Sequence, residues 1–214
     1  MYDAPGRRSR PSRGARPGVQ VRALIFDTET TGMVRWKLPP EHESQPDLIQ
    51  LGMLLVETVD WSAKARLSTL VRLPDGVRID PGAKQAHGIS EQDCERYGVA
   101  AVVACSLFNQ LCLQADAIVA HNMSFDRSVM LTALYRLGKK PDRMAGKRII
   151  CTMELSTDVL KLPGKYGGYK WPTLAEAYRH FAGEEIEGAH DALVDTQACL
   201  AVFRGLCEAG LVEN

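Results

Sequence analysis

The chain has 214 residues, enough for one domain with a substantial core and too few for two full ones. Hydrophobic residues make up 45% and charged ones 24%, the balance of an ordinary globular domain rather than a disordered or fibrous chain. No apolar run is long enough to span a bilayer and no apolar signal segment stands at the N-terminus, so a soluble cytoplasmic protein with no membrane partner is expected.

The formal charge is zero, but it is unevenly spread. Residues 1–18 hold five arginines against one acid and almost nothing to bury, which reads as a disordered basic tail. Such a tail is either a solvated segment or an arm that grips DNA. The folded part, 19–214, is left with a net charge of −4. A protein that handles nucleic acid usually neutralises phosphates with Lys and Arg; an acidic one needs bound cations to do so. The six cysteines, at 94, 105, 112, 151, 199 and 207, form no CxxC pair and no pattern with nearby histidines. They are expected to be reduced core residues rather than zinc ligands or a disulfide framework.

In chain order, Val21 to Phe26 reads as a buried strand that ends at Asp27-Thr28-Glu29-Thr30-Thr31-Gly32, followed by a proline-rich loop to Pro46. Leu48 to Val59 and Leu67 to Leu73 are two further strands, joined by a turn near Asp60 to Lys64. After Pro74 a long connection reaches His87-Gly88-Ile89-Ser90, where Ser90 with Asp93 marks a helix start. Val99 to Leu113 places Val102, Val103, Leu107 and Leu111 at helical spacing. Ala117 to Ala120 is a short strand running into His121 and Asn122. A helix opens at Ser124 or Phe125 and ends near Gly138. Arg148 to Thr152 is a fifth strand, followed by a helix to about Leu162. Thr173 with Glu176 is a capping box opening a helix to Phe181, and the last helix runs from Asp191 to Cys207. Three early strands followed by alternating helices and strands indicate an α/β domain, antiparallel first and parallel later.

Four carboxylates stand out. Asp27 and Glu29 are two apart at a strand end, so their side chains leave on the same side. On the last helix, positions 192, 195, 199, 202 and 206 share a face and read Ala, Asp, Cys, Val, Leu; Asp195 sits in the middle of the stripe that should face the core. Asp126 repeats the pattern with Met130, Ala133 and Leu137. A buried carboxylate without a partner costs several kcal/mol, and one shared cation cluster accounts for all four acids. His190, just ahead of the last helix, suits a general base, since histidine is the side chain that ordinarily titrates near neutral pH.

Taken together, Asp27-Thr28-Glu29-Thr30-Thr31-Gly32, His121-Asn122-Met123-Ser124-Phe125-Asp126 and His190-Asp191-Ala192-Leu193-Val194-Asp195 resemble the three motifs of the DEDDh family of 3′–5′ exonucleases, in order and at matching spacing. Pro81 to Ser90 is similar to the family's stretch ending in His-Gly-Ile-Ser. The resemblance implies an RNase H-like α/β fold, a mixed five-stranded sheet with helices on both faces. It implies two divalent cations, Mg²⁺ or Mn²⁺, held by Asp27, Glu29, Asp126 and Asp195, with His190 taking a proton from the attacking water. It further implies that Thr30, Gly32, Met33 and Phe125 line the terminal nucleotide. His87 is either a nucleotide contact or a helix-entry turn, and Asn122 either lines the site or bonds the strand end. The segment Lys165 to Trp171 offers cations and aromatic rings that either hold a strand or pack under the last helices. The expected substrate is the 3′ end of single-stranded DNA. The expected partners beyond DNA are a polymerase or CRISPR adaptation proteins. The alternatives are an RNA 3′-end exonuclease and a non-catalytic nucleic-acid-binding module on the same fold; such modules usually lose a metal ligand, and all five key positions are intact here.

Overall fold

The computed structural model describes residues 21–138 and 142–212; the basic tail expected at 1–18 lies outside them. The first strand, β1 (Arg22–Thr30), pairs antiparallel with β2 (Leu48–Glu57), which pairs antiparallel with β3 (Ala63–Leu70). Two short helices follow, α1 (Pro81–His87) and α2 (Glu91–Tyr97), then the longer α3 (Ala101–Gln114), β4 (Ala117–Ala120) and α4 (Met123–Arg136). The chain continues through β5 (Arg148–Cys151), α5 (Thr152–Leu160), α6 (Leu174–Ala182) and α7 (Ala192–Glu208). The five strands form one sheet in the order β3-β2-β1-β4-β5, with β4 parallel to both β1 and β5. This is the mixed sheet expected.

Alternation along β1 divides the core in two. Leu24 and Phe26 are buried with residues of α3 and α4, such as Phe108 and Met130. Ala23 and Ile25 are buried against the other layer, with Ala177 of α6 and Cys199, Val202, Phe203 and Leu206 of α7. Helices therefore cover both faces. No helix among the described residues is long and apolar enough to cross a membrane.

The structure moves several expected boundaries. β1 does not stop at Phe26 but runs on through Thr30, because Thr28, Glu29 and Thr30 keep their ladder partners Leu51, Gln50 and Leu48 on β2. β3 covers Ala63–Leu70 rather than Leu67 to Leu73. The connection after Pro74 contains a helix, α1, started by a proline at its first turn, where proline is tolerated. Thr152 opens α5 instead of closing β5.

One helix turns a different face inward. Of the stripe Val102, Val103, Leu107 and Leu111, only Leu111 is buried; the others are 40%, 46% and 39% exposed. α3 instead buries Ala104, Cys105, Phe108, Leu111 and Cys112. Small residues at 104, 105 and 112 let the helix approach the sheet closely, and Phe108 meets Phe26 edge-on with ring centres 5.0 Å apart. The cysteines behave as expected of small apolar groups: Cys94, Cys105, Cys112 and Cys199 are all buried.

Candidate active site

The parity of β1 carries into its acidic end. Asp27 and Glu29 follow Ala23 and Ile25 toward the α7 side, and Thr28 follows Leu24 and Phe26 toward α4. Thr28 there holds Asp126: its backbone N–H and its hydroxyl both donate to Asp126 Oδ1, at 3.0 and 2.7 Å. Asp126 and Asp195 are buried, each 8% exposed or less, and among the described residues none of the four acids forms an ion pair with a lysine or arginine.

α7 is fixed over β2 by two residues of that strand. Gln50 receives the backbone N–H of Ala192 (3.0 Å) and donates to the Asp191 carboxylate (2.9 Å). Asp191 in turn caps the helix through the N–H groups of Leu193 and Val194, the usual duty of an aspartate at that position. Two residues along, Gly52 lies so close to α7 that a Cβ there would overlap the Ala192 carbonyl. This contact sets the height of the helix that carries Asp195. The Asp195 carboxylate accepts the His190 backbone N–H through Oδ2 (3.1 Å), while its Oδ1 is buried without a hydrogen-bond partner. His190 itself is exposed and holds a left-handed backbone, φ 70°.

Electrostatics show what the four acids lack. Burial pushes Asp27 well above the usual carboxylate range, and the charges of Asp126, Asp195 and Glu29 push it further. Glu29 is raised to about 8, first by burial and then by Asp195 and Asp126. Asp126 is raised by burial against the opposing pull of its Thr28 hydrogen bonds. Asp195 is raised mainly by burial, with the His190 backbone bond working the other way. Four carboxylates in one water-poor place favour protons or cations. One atom from each of Glu29, His190 and Asp195 lies within 4.8 Å of the others, a grouping able to hold a metal ion. The donor set is oxygen-rich, as hard divalent cations prefer, and the orphaned Asp195 oxygen is the kind of acceptor such an ion would satisfy.

The other expected residues fall into place unevenly. Thr30 is buried and its hydroxyl donates to the Gly32 carbonyl (2.6 Å). A Cβ at Gly32 would meet the Asp80 carboxylate, which would have to swing aside. Met33 is 71% exposed beside this turn, free to meet a ligand. Phe125, on the first turn of α4, is partly buried against the core cluster that holds Leu24 and Phe26. Asn122 precedes α4 with φ 67° and makes no side-chain cap bond. His87 closes α1; its Nδ1 accepts the Ile89 N–H (3.0 Å) and its ring faces the Thr30 backbone. Burial lowers the His87 pKa, a hydrogen bond to the Thr30 backbone works the other way, and the nearby His190 lowers it further.

Thr28, Gln50, Gly52 and His121 are the positions that sequence reasoning missed. The Asp-Thr-Glu spacing already sends the middle side chain to the opposite face, which was a usable signal for Thr28. Gln50 lies 141 residues from Asp191, and nothing in the sequence joins them.

A family model described as exonuclease (RNase_T) matches residues 24–203. The chain is similar to the uncharacterized exonuclease CP81 of Escherichia phage 186, with 24% identity over 210 residues, 93% of this chain and 95% of that protein. It is also similar to the DNA polymerase III subunit epsilon of Buchnera aphidicola, with 28% identity over 175 residues, 82% of this chain and 68% of that protein. Among solved structures, E. coli exonuclease I in complex with a dT13 oligonucleotide superposes with a TM-score of 0.72 at 18% identity, over 87% of this chain and 41% of that one. The chain thus spans about two-fifths of the length of exonuclease I, and the likeness shows a shared RNase H-like fold. The family match runs past every one of the four acids and His190, and on that extent the chain belongs to the DEDDh family of metal-dependent 3′–5′ exonucleases.

Proposed function

We propose that the protein removes nucleotides from the 3′ end of single-stranded DNA, with two divalent cations, Mg²⁺ or Mn²⁺, held by Asp27, Glu29, Asp126 and Asp195 and with His190 as general base. The observation that carries this reading is the convergence of four proton-hungry carboxylates, without a lysine or arginine partner among the described residues, beside an exposed imidazole. When bound, such ions polarise the phosphate and offset charge on the incoming and departing oxygens. The protein's own contributions are positional. Thr28 aims Asp126, and Gln50 with Asp191 holds α7 so that Asp195 faces β1. His190, tied to Asp195 through its backbone, presents its ring at the solvent side of Glu29 and takes the proton of the attacking water. Attack in line breaks the bond from phosphorus to the 3′ oxygen. A nucleoside 5′-monophosphate leaves, and the shortened strand keeps a 3′-hydroxyl. Thr30, Gly32, Met33, His87, Asn122 and Phe125 surround the place where that terminal nucleotide would lie.

The relatives support DNA as the substrate: one is a DNA polymerase subunit and one solved neighbour holds dT13. The test is digestion of 5′-labelled single-stranded DNA and RNA with Mg²⁺ or Mn²⁺. A ladder shortening from the 3′ end of DNA is expected, with at least a roughly thousand-fold slower rate for Asp195→Ala. Faster shortening of RNA would reassign the substrate, and an intact strand with a gel shift would leave only a binding module.

A further inference from the structure

Between α5 and α6 the chain makes a small hairpin that the catalytic reading does not use. Pro163 bridges antiparallel to Tyr169, Lys170 N–H donates to the Leu162 carbonyl (2.9 Å) and Gly164 N–H to the Gly168 carbonyl (3.0 Å). Gly167 and Gly168 turn the tip with φ 92° and 67°, values that glycine accepts without strain. The hairpin does not pack under the last helices. Tyr166 is 92% exposed, Trp171 66% and Tyr169 51%. Lys165 lies 5.4 Å from the centre of the Tyr166 ring, and Lys170 pairs with Glu176.

The base of this hairpin is pinned to the catalytic end of the sheet. Pro172 is buried, and its carbonyl accepts from His121 Nε2 (3.1 Å), while His121 Nδ1 accepts from the Thr152 hydroxyl (3.0 Å). Burial lowers His121 to about 4, so near neutral pH the ring is uncharged, with one nitrogen to donate and one to accept. The position follows from register. β1 and β4 pair Ile25 with Val119, and two residues further along come Asp27 and His121. β4 and β5 pair Ala120 with Cys151, which brings Thr152 beside His121. The strand that supplies the first acid and the residue that holds the hairpin therefore end side by side.

Three exposed rings on a held hairpin, with a cation among them, at the edge of an acidic body, fit flat partners linked by phosphates. We infer that the hairpin 163–171 is a stacking platform for the bases of the single strand upstream of its 3′ terminus, with Tyr166 and Trp171 as the main surfaces. Stacking of this kind tolerates any base, as an exonuclease working along a strand requires. The inference rests on the exonuclease reading, but its test separates the two.

Hydrolysis is followed on the p-nitrophenyl ester of thymidine 5′-monophosphate, on dT2 and on dT15. For the wild type, KM should fall about tenfold or more from the ester to dT15, the gain expected from stacking one or two bases. In Tyr166→Ala/Trp171→Ala most of that dependence on length should vanish. Both side chains are largely exposed, and an unchanged melting temperature would certify the fold. A double variant that keeps the full dependence on length overturns the platform. If the wild type hydrolyses none of the three, the exonuclease reading fails, and the platform is judged on binding alone. Labelled dT15 in Ca²⁺ should then bind the wild type about tenfold more tightly than the double variant, and equal binding or none overturns it.

Discussion

At the residue scale, the acids at 27, 29, 126 and 195 have a cost that depends on pH. An acid whose pKa is raised by folding favours the folded state while protonated and opposes it once charged. Its stabilising contribution is whole below the ordinary carboxylate range and is lost as pH rises through the folded value. For Glu29 that window runs from about 4.5 to about 8, and the other three shift in the same direction. The metal-free protein should therefore gain more in melting temperature from Mn²⁺ at pH 8 than at pH 5, because the ligands must shed protons to bind. An equal gain at both pH values would argue against these carboxylates as the ligands. His190 bears a different cost. Its φ of 70° is a conformation that side-chain-bearing residues seldom adopt. Relief of that strain should outweigh glycine's extra freedom in the unfolded chain, so His190→Gly should melt at or above the wild type. Its turnover should fall about a hundred-fold or more. A variant that melts lower would show that the strain at this position is smaller than the stabilisation lost with the side chain.

Elements differ in how plainly the chain announces them. α7 could be read from its apolar stripe because Ala192, Cys199, Val202 and Leu206 are all buried around Asp195. The capping boxes at Ser90 with Asp93 and at Thr173 with Glu176 form as their spacing implies. α3 could not be oriented the same way. It is apolar on nearly every side, so periodicity does not choose a face, and the sheet selects the one whose small residues allow closest approach. The link from Gln50 to α7, and the fit of Gly52 beneath it, were invisible for another reason: they join segments that meet only once the sheet exists. That fit makes a firm test of α7 as the element that sets the site. Gly52→Ala should cost roughly 2 kcal/mol, the usual range for overfilling a packed site. In a chain of this size that corresponds to a fall of about 4–8 °C in melting temperature. Activity should fall further than stability accounts for, since the displaced element carries Asp195. A variant with wild-type melting and activity would show that α7 has room to move over β2.

For the whole molecule, the sheet order explains why the acids gather where they do. β1 is central, antiparallel to one neighbour and parallel to the other, and the chain leaves the two sides of that junction in different directions. Asp27 and Glu29 stand at the C-terminal end of this central strand, where it lies between its antiparallel and its parallel neighbour. The mixed sheet was legible from three early strands followed by helix and strand in alternation; the order of the strands was not, because nothing local says which partner lies beside β1. The charge balance is equally a property of the whole, since an acidic body can accept a phosphodiester only where cations have been brought in. Since a strand's side chains have only two directions, the arrangement also has an arithmetic. Removing one residue between Arg22 and Phe26 would send the acids toward α4 and their threonine toward α7, whereas removing two would shorten the strand and leave each side chain aimed as before. Evolution of this domain can thus trim or lengthen its central strand in pairs, and an odd step would silence it.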